Sequence, residues 1–246
     1  MFFLVGIDDT DSAGHENTGQ LAIRLGNLLR ERRCANMLAV TRHKLLSHPD
    51  LPRTTSNHAA CLMLDADSEC RRDIELLSRE FILRQSAPSS EPGFAMGAWN
   101  TITNEVITYG EQARQSILKR QSAIELAKAH HIAIAGFHGR GSGVIGALAA
   151  IGLFFSGENG RYIWLPGLMR LSGILTAPEI LRICDIDRIE NFRGRRPLER
   201  DRIDLGSQPT PIMRDGKSLL LLEAASRGDP YDWRVYTREE LDRISA

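Results

Sequence analysis

Near the N-terminus, Asp8-Asp9-Thr10-Asp11-Ser12 places three carboxylates within four positions. Such charges repel one another and are comfortable only when solvated or neutralised by a cation. A hard divalent ion takes oxygen ligands, and Mg²⁺ typically uses one or two carboxylates together with phosphate oxygens. Asp8, Asp9 and Asp11 are therefore the candidate Mg²⁺ ligands, and Thr10 and Ser12 sit beside them as candidate nucleotide contacts. The same letters also read as a plain acidic turn with a helix cap.

A second constellation is His138-Gly139-Arg140-Gly141-Ser142-Gly143-Val144-Ile145-Gly146. Closely spaced glycines let backbone N–H groups approach a phosphate, and a helix opening after them adds favourable partial charge. Arg140 can add a forked, permanently charged contact. Gly139, Arg140, Gly141, Ser142 and Gly143 are thus the second set of candidate nucleotide contacts. The spacing is not that of a GxxxxGK[ST] loop. Residues 141–146 satisfy GxGxxG literally, and Glu158 is the acidic residue at the distance where a ribose partner would fall. A tight turn with close helix packing explains the same glycines.

These loops need elements to hold them. Phe2 to Ile7 is a nearly continuous apolar run and reads as a buried strand. The polar stretch from Asp8 to Gly19 is a loop, followed by a helix with Leu21, Leu25, Leu28 and Leu29 on one stripe. Asn17 or Thr18 caps that helix. Strands are expected near 37–41, 59–64 and 132–136, and helical patterns over 70–83, 111–129 and 144–155. Asp215-Gly216 between apolar runs signals a hairpin. Thr237 with Glu240 forms a capping box for a last short helix. Residues 191–202 form a charged, arginine-rich linker.

With 246 residues, 31 basic and 31 acidic side chains, the chain is long enough for a sizeable core and carries no basic excess for nucleic acid. Its four cysteines are scattered without a CxxC pair, which fits free thiols rather than a zinc ribbon. The longest apolar run, 144–155, is too short to span a bilayer. The N-terminus lacks the pattern of a signal peptide, so a cytoplasmic protein without a membrane partner is expected. Asn57 and His58, beside a Pro-containing loop, are candidate substrate contacts. His43, His48 and His58 lack zinc spacing, and His15 reads as a loop histidine.

Val5-Gly6-Ile7-Asp8-Asp9-Thr10-Asp11-Ser12, with Thr18 after the loop, resembles the start of the archaeal 2-agmatinylcytidine synthetases that modify an isoleucine tRNA. Gly139-Arg140-Gly141 and the run from Val144 to Gly152 resemble a second stretch of that family, as do the loop from Pro52 to Ala60 and Glu91-Pro92-Gly93. The resemblance implies an α/β with α+β fold, a kinase-like α/β domain combined with a ferredoxin-like domain. It assigns residues 1–56 with 130–175 to the kinase-like ATP and Mg²⁺ part, and 57–129 with 176–246 to the ferredoxin-like and C-terminal part. It further implies that ATP cleavage activates a cytidine carbonyl for attack by agmatine. Asp8, Asp9 and Asp11 match its acidic positions, and Thr18 matches its phosphoryl-accepting threonine. The family's longer members continue into an OB-fold and a cysteine zinc ribbon, whereas this sequence has neither zinc cysteines nor residues beyond Ala246. Its Glu16-Asn17-Thr18-Gly19 also replaces the family's frequent Met-Cys-Thr-Thr.

The expectation is an ATP- and Mg²⁺-dependent phosphoryl-transfer or ligase-type enzyme, with RNA or a small amine as possible substrate and no indication of oligomeric state. Two alternatives stand beside it. One is a non-catalytic nucleotide- or RNA-binding module. The other is a haloacid-dehalogenase-type phosphatase using Asp9-Thr10-Asp11, although Ala13 stands where that motif wants Thr or Val.

Overall fold

The structure is a computed structural model that describes residues 1–12, 16–51 and 57–244. The chain divides into two compact units, Met1–Ser156 and Gly157–Ala246. No helix among the described residues is long and apolar enough to cross a membrane.

The first unit opens with β1 (Phe2–Asp8), α1 (Thr18–Glu31), β2 (Asn36–Lys44), β3 (His58–Asp65), α2 (Arg71–Gln85) and β4 (Gly93–Ala98). It continues with α3 (Asn104–Gln115), α4 (Arg120–Ala129), β5 (Ala133–Gly136) and α5 (Val144–Ser156). Its strands run β5-β4-β1-β3-β2, and every neighbouring pair is antiparallel. The first four strands with α1 and α2 form a β-α-β-β-α-β ferredoxin-like arrangement, so the mixed α/β and α+β character expected from sequence is present. The boundary drawn at 56/57 falls inside this sheet, because β3 and β4 pair with the two edges of β1. The compact first unit ends at Ser156, where α5 ends.

β1 is apolar at consecutive positions because both its faces are covered. On one face lies α5, which is buried nearly all round: Val144, Ala147, Leu148, Ile151 and Leu153 are all at most 1% exposed. This burial, rather than amphipathicity, is what an uninterrupted apolar helix requires. Glycines bring its backbone close. A Cβ on Gly6 would fall 1.9 Å from the Ala147 carbonyl oxygen, and one on Gly152 would fall 2.1 Å from that of Val106 in α3. Side chains alternate along a strand, so Asp8, two residues beyond Gly6, is aimed at the same face. The single helical pattern expected over 111–129 is two helices. α3 ends at Gln115, and the intervening Ser116, Ile117 and Leu118 turn into a cleft described below.

The second unit contains β6 (Arg161–Trp164), β7 (Ile174–Thr176), α6 (Ala177–Ile183), β8 (Arg188–Asn191), β9 (Arg202–Asp204), β10 (Ile212–Arg214), β11 (Lys217–Ala224), β12 (Trp233–Val235) and α7 (Arg238–Ile244). Its strands run β6-β10-β11-β12-β9-β7, with β8 beside β11 in parallel. The expected hairpin is present: Arg214 pairs with Lys217 across Asp215 and Gly216, whose φ values of 51° and 68° are those of a primed two-residue turn. The 191–202 linker is built rather than loose at its start. Asn191 Oδ1 accepts the backbone N–H groups of Arg193 and Arg195 at 2.9 and 3.0 Å. All four cysteines are free thiols.

Candidate active site

Asp8 is the last residue of β1, and its carboxylate reaches the first turn of α5. It is only 9% exposed. Burial, reinforced by the negative charges of Asp9 and Asp11, pushes its carboxyl up to about 8. Asp9 bends the chain with φ 54°, a left-handed conformation uncommon for a residue other than glycine. Its carboxyl is also raised, by burial first and then by Glu91 and Asp11. Two neighbouring acids are therefore held where ionisation is unfavourable, as expected of a site prepared for positive charge.

Thr10 points the other way and is 1% exposed. Its Oγ1 and N donate to Thr18 Oγ1 at 3.0 and 3.4 Å, and its carbonyl accepts from Ala87 N. These bonds tie the acidic loop to the start of α1. The cap of that helix is Asn17, whose Oδ1 accepts from Gln20 N at 3.0 Å. Thr18 is the first helical residue, and its hydroxyl is turned toward the loop.

The glycine-rich segment turns around a carboxylate that belongs to the protein. Ser142 Oγ donates to Glu91 Oε2 at 2.6 Å, and Ser142 N approaches the same oxygen at 3.4 Å. Arg140 Nε lies 3.7 Å from Glu91 Oε1. Gly143 N donates to the Glu91 carbonyl at 3.0 Å. These partners, the Ser142 hydroxyl foremost, hold the Glu91 carboxyl below its usual range. Gly139 and Gly141 adopt φ 56° and 63°, and a Cβ on Gly139 would meet Glu91 Oε1 at 2.7 Å. Gly143 is small for a different reason: a Cβ there would fall 2.5 Å from Gly93 N and 2.9 Å from Asp8 O. The dinucleotide reading of 141–146 does not fit, because that fingerprint belongs to a parallel βαβ unit. Here β5 is antiparallel to β4, and Glu158 lies in the second unit.

Asp8, Asp9 and Asp11 line one wall of a cleft of about 770 Å³, counting its open mouth. Ser142, Gly143, Asn57 and His58 line it with them, and Leu45, Leu46, Leu51, Ile117 and Leu118 form an apolar side. Asn57 Nδ2 donates to the Leu46 carbonyl at 2.6 Å, and Leu46 N bonds Ala113 O, which fixes the apolar wall against α3. A smaller hollow is lined by Asp11, Asn17, Thr18, Gly19, Arg42, His58 and Ala59. Asp11 and His58 therefore border both spaces. Thr10, Ser12, Gly139, Arg140 and Gly141 are not lining residues of the cleft, and the Arg140 side chain is 86% exposed. His15, Ala13 and the Thr54-Thr55-Ser56 run lie outside the described residues.

Among the described residues no three His, Cys, Asp or Glu side chains converge as a ready-made ion site. The donor set suits instead a cation shared with a ligand, since the acids face a cleft rather than one another's centre. Sequence reasoning passed over two residues here. Glu91 had only its place in Glu91-Pro92-Gly93 as a signal. Arg42 had none beyond its position in a strand.

A mixed α/β protein with an acid-lined cleft at the carboxyl end of its first strand is the class these observations define. Solved structures share the fold over part of this chain. The crystal structure of apo TiaS, an isoleucine-tRNA agmatidine synthetase, is 26% identical with a TM-score of 0.53 over 62% of this chain. A tRNA fluorescent labeling enzyme is 26% identical with a TM-score of 0.52, and a TiaS–tRNA–ATP complex is 25% identical with a TM-score of 0.54, each over 62% of this chain. The chain is TiaS-like over that span, which amounts to 35–36% of the length of those proteins. No family model and no curated protein matches the sequence.

Proposed function

We propose that this chain is an ATP- and Mg²⁺-dependent phosphoryl-transfer or ligase-type enzyme in which Thr18 accepts a phosphoryl group. The observation that carries the reading is the shared border of the two spaces. Asp11 and His58 line both the acidic cleft and the hollow that contains Thr18, so in this reading the terminal group of a polyphosphate in the cleft is turned toward the threonine. Structures of TiaS with tRNA and ATP, and with tRNA, an ATP analogue and agmatine, support ATP as the nucleotide. They also support an RNA or a small amine as the second substrate. In this reading the ferredoxin-like arrangement is the scaffold of the nucleotide site, and the activity is cytoplasmic.

The roles follow from placement. Asp8 and Asp9 would hold Mg²⁺, and bound metal would supply charge neutralisation for the polyphosphate. Thr10 orients the Thr18 hydroxyl. Ser142 and Gly143 border the polyphosphate, with Glu91 keeping their turn in shape, while Asn57 and His58 face the substrate. Gly139, Arg140 and Gly141 serve the shape of that turn rather than direct contact.

The test is incubation of the protein with Mg²⁺ and ATP, followed by nucleotide analysis and intact mass. Nucleotide cleavage that disappears in Asp9→Ala, with a phosphate mass gain that disappears in Thr18→Ala, is the expected result. Nucleotide binding without cleavage would favour the binding module. A hydroxylamine-sensitive acyl phosphate at Asp9, lost in Asp9→Ala and kept in Thr18→Ala, would favour the phosphatase reading instead.

A further inference from the structure

The arginine-rich segment that follows β8 has no part in the site described above. We propose that it is a binding surface for single-stranded nucleic acid, in which its arginines hold phosphates and Phe192 stacks on a base. The segment is fastened at several points. Asn191 ends β8 opposite Leu222 of β11, which itself lies opposite Val235 of β12. Phe192 therefore leaves the strand beside Tyr236, with ring centres 5.4 Å apart and the rings nearly perpendicular. Arg195 Cζ lies 5.6 Å from the centre of the Trp233 ring. Asp201 Oδ2 accepts from Trp233 Nε1 and from Leu198 N, each at 2.9 Å. Arg202 then opens β9, its N–H donating to Asp232 Oδ2 at 2.8 Å. A surface already ordered loses little conformational entropy on binding.

What the segment presents to solvent complements a polynucleotide. Arg193, Arg195, Arg196, Arg200 and Arg202 are all exposed, against two acids, Glu199 and Asp201. Asp201 faces Arg195 and Arg200, but its Oδ2 already serves the two N–H donors named above. Arg196 Nε lies 3.9 Å from Glu190 Oε2, and that carboxylate is shared with Arg188. Among the described residues Arg193, Arg200 and Arg202 form no salt bridge. Arg234, next to Tyr236, is different: it pairs with Glu223 and Glu240. The unmatched positive charge therefore lies in the segment itself. Within it Phe192 is 43% exposed, a large ring held in place by Tyr236 and flanked by arginines. Phosphates answer the arginines, and every base has a face that stacks on an aromatic ring whatever the sequence. An acidic peptide would answer the arginines and leave the ring without a partner. The inference is independent of the ATP reading, because binding of this kind needs neither nucleotide nor metal.

The experiment uses the full chain without ATP or Mg²⁺ and a fluorescein-labelled, mixed-sequence RNA strand of about 12 nucleotides, a length one such surface can cover. Anisotropy is read at several salt concentrations, with melting curves in parallel. The same sequence as single-stranded DNA, the RNA duplex and polyglutamate are the comparisons. Binding of the RNA strand, the DNA strand or both is the expected result, with the duplex weaker, and the ratio of the two strands identifies the source. Arg193→Gln and Arg200→Gln are each expected to make the slope of log affinity against log salt shallower by about 0.7, the value of one phosphate contact on a single strand. Arg193→Lys is expected to keep the slope. Phe192→Ala is expected to weaken binding about tenfold with the salt slope unchanged, because stacking releases no counterions. Phe192→Trp is expected to keep the affinity. Should Phe192→Ala fail to fold, Phe192→Leu carries the test, since it keeps an apolar contact with Tyr236 and removes the ring. No binding of either strand at about 50 mM salt, where phosphate contacts are strong, would overturn the inference. So would variants that bind as wild type does. So would polyglutamate or duplex binding that equals the single strand and ignores Phe192, which would mark a general anion surface. None of these results bears on nucleotide cleavage, so the ATP reading stands or falls separately.

Discussion

The carboxylate of Asp8 lies so close above Gly146 that a Cβ on Gly146 would fall 1.9 Å from Asp8 Oδ2. The missing side chain is therefore what lets a buried acid sit on the first turn of α5. Gly146→Ala is expected to push the carboxylate out of this position. Helix propensity alone would favour alanine by about 1 kcal/mol, but overpacking against a fixed strand costs about 1–3 kcal/mol. A net loss of stability in thermal or denaturant unfolding, with weakened nucleotide binding, is the expected outcome. A more stable variant with unchanged binding would contradict the packing account.

The same acid gives the first unit a pH signature. Burial pushes the Asp8 carboxyl up to about 8 in the folded protein, against 3.8 for an unperturbed aspartate. Below that lower value both states carry the proton and the shift costs nothing. As pH rises, the unfolded chain loses its proton while the folded chain keeps it, so stability falls until the folded group also ionises near the upper value. Asp8→Asn removes this slope. The variant is expected to match wild type near pH 4 and to exceed it increasingly toward pH 8, as read by denaturant unfolding at several pH values. A constant difference across that window would mean that Asp8 is charged in the folded state throughout.

The glycine-rich turn makes a separate prediction through Glu91. Its carboxylate accepts from the Ser142 hydroxyl and faces Arg140. Removing the carboxylate takes the acceptor from the half-buried Ser142 hydroxyl, at a cost of about 1–3 kcal/mol, while the exposed Arg140 is solvated. Glu91→Ala is expected to be destabilised on that scale and to show faster amide hydrogen exchange over residues 139–143. Glu91→Gln, which still accepts a hydrogen bond, is expected to lose less. Unchanged exchange in Glu91→Ala would show that the glycines hold the turn alone.

What was legible in the sequence follows from what is local. The apolar run of β1 and the apolar run of α5 announced buried elements, and Asp215-Gly216 announced its hairpin, because each signal lies within a few residues. The acidic loop and the glycine loop were visible as chemistry for the same reason. Glu91 and Arg42 were not, because pairing between distant strands brings them to the site. Asp8 pairs with Gly93 across β1 and β4, which places Glu91 beside Asp9. β2 and β3 pair antiparallel from Asn36–Asp65 to Lys44–His58, which brings Arg42 to His58. The glycines illustrate a second limit. Their spacing suggested a phosphate cradle, yet Gly143 and Gly146 are small because backbone and Asp8 lie against them, a cause that spacing alone does not reveal.

The start of α1 separates two roles that residue type leaves entangled. Asn17 caps the helix by accepting from Gln20 N, whereas Thr18 Oγ1 accepts from Thr10. Asn17→Ala is therefore expected to cost about 1 kcal/mol, the ordinary value of an N-cap, and to speed exchange at the Gln20 amide. Thr18→Ala is expected to leave the Gln20 amide protected while loosening the acidic loop at Thr10, whose N and Oγ1 lose their acceptor. If the Gln20 amide were instead deprotected by Thr18→Ala, the threonine would be part of the cap. Its placement would then be accounted for by helix geometry without any chemistry. A protected amide in that variant removes the cap as an explanation and leaves the hydroxyl, buried beside Asp11 and Arg42, as the feature that needs one.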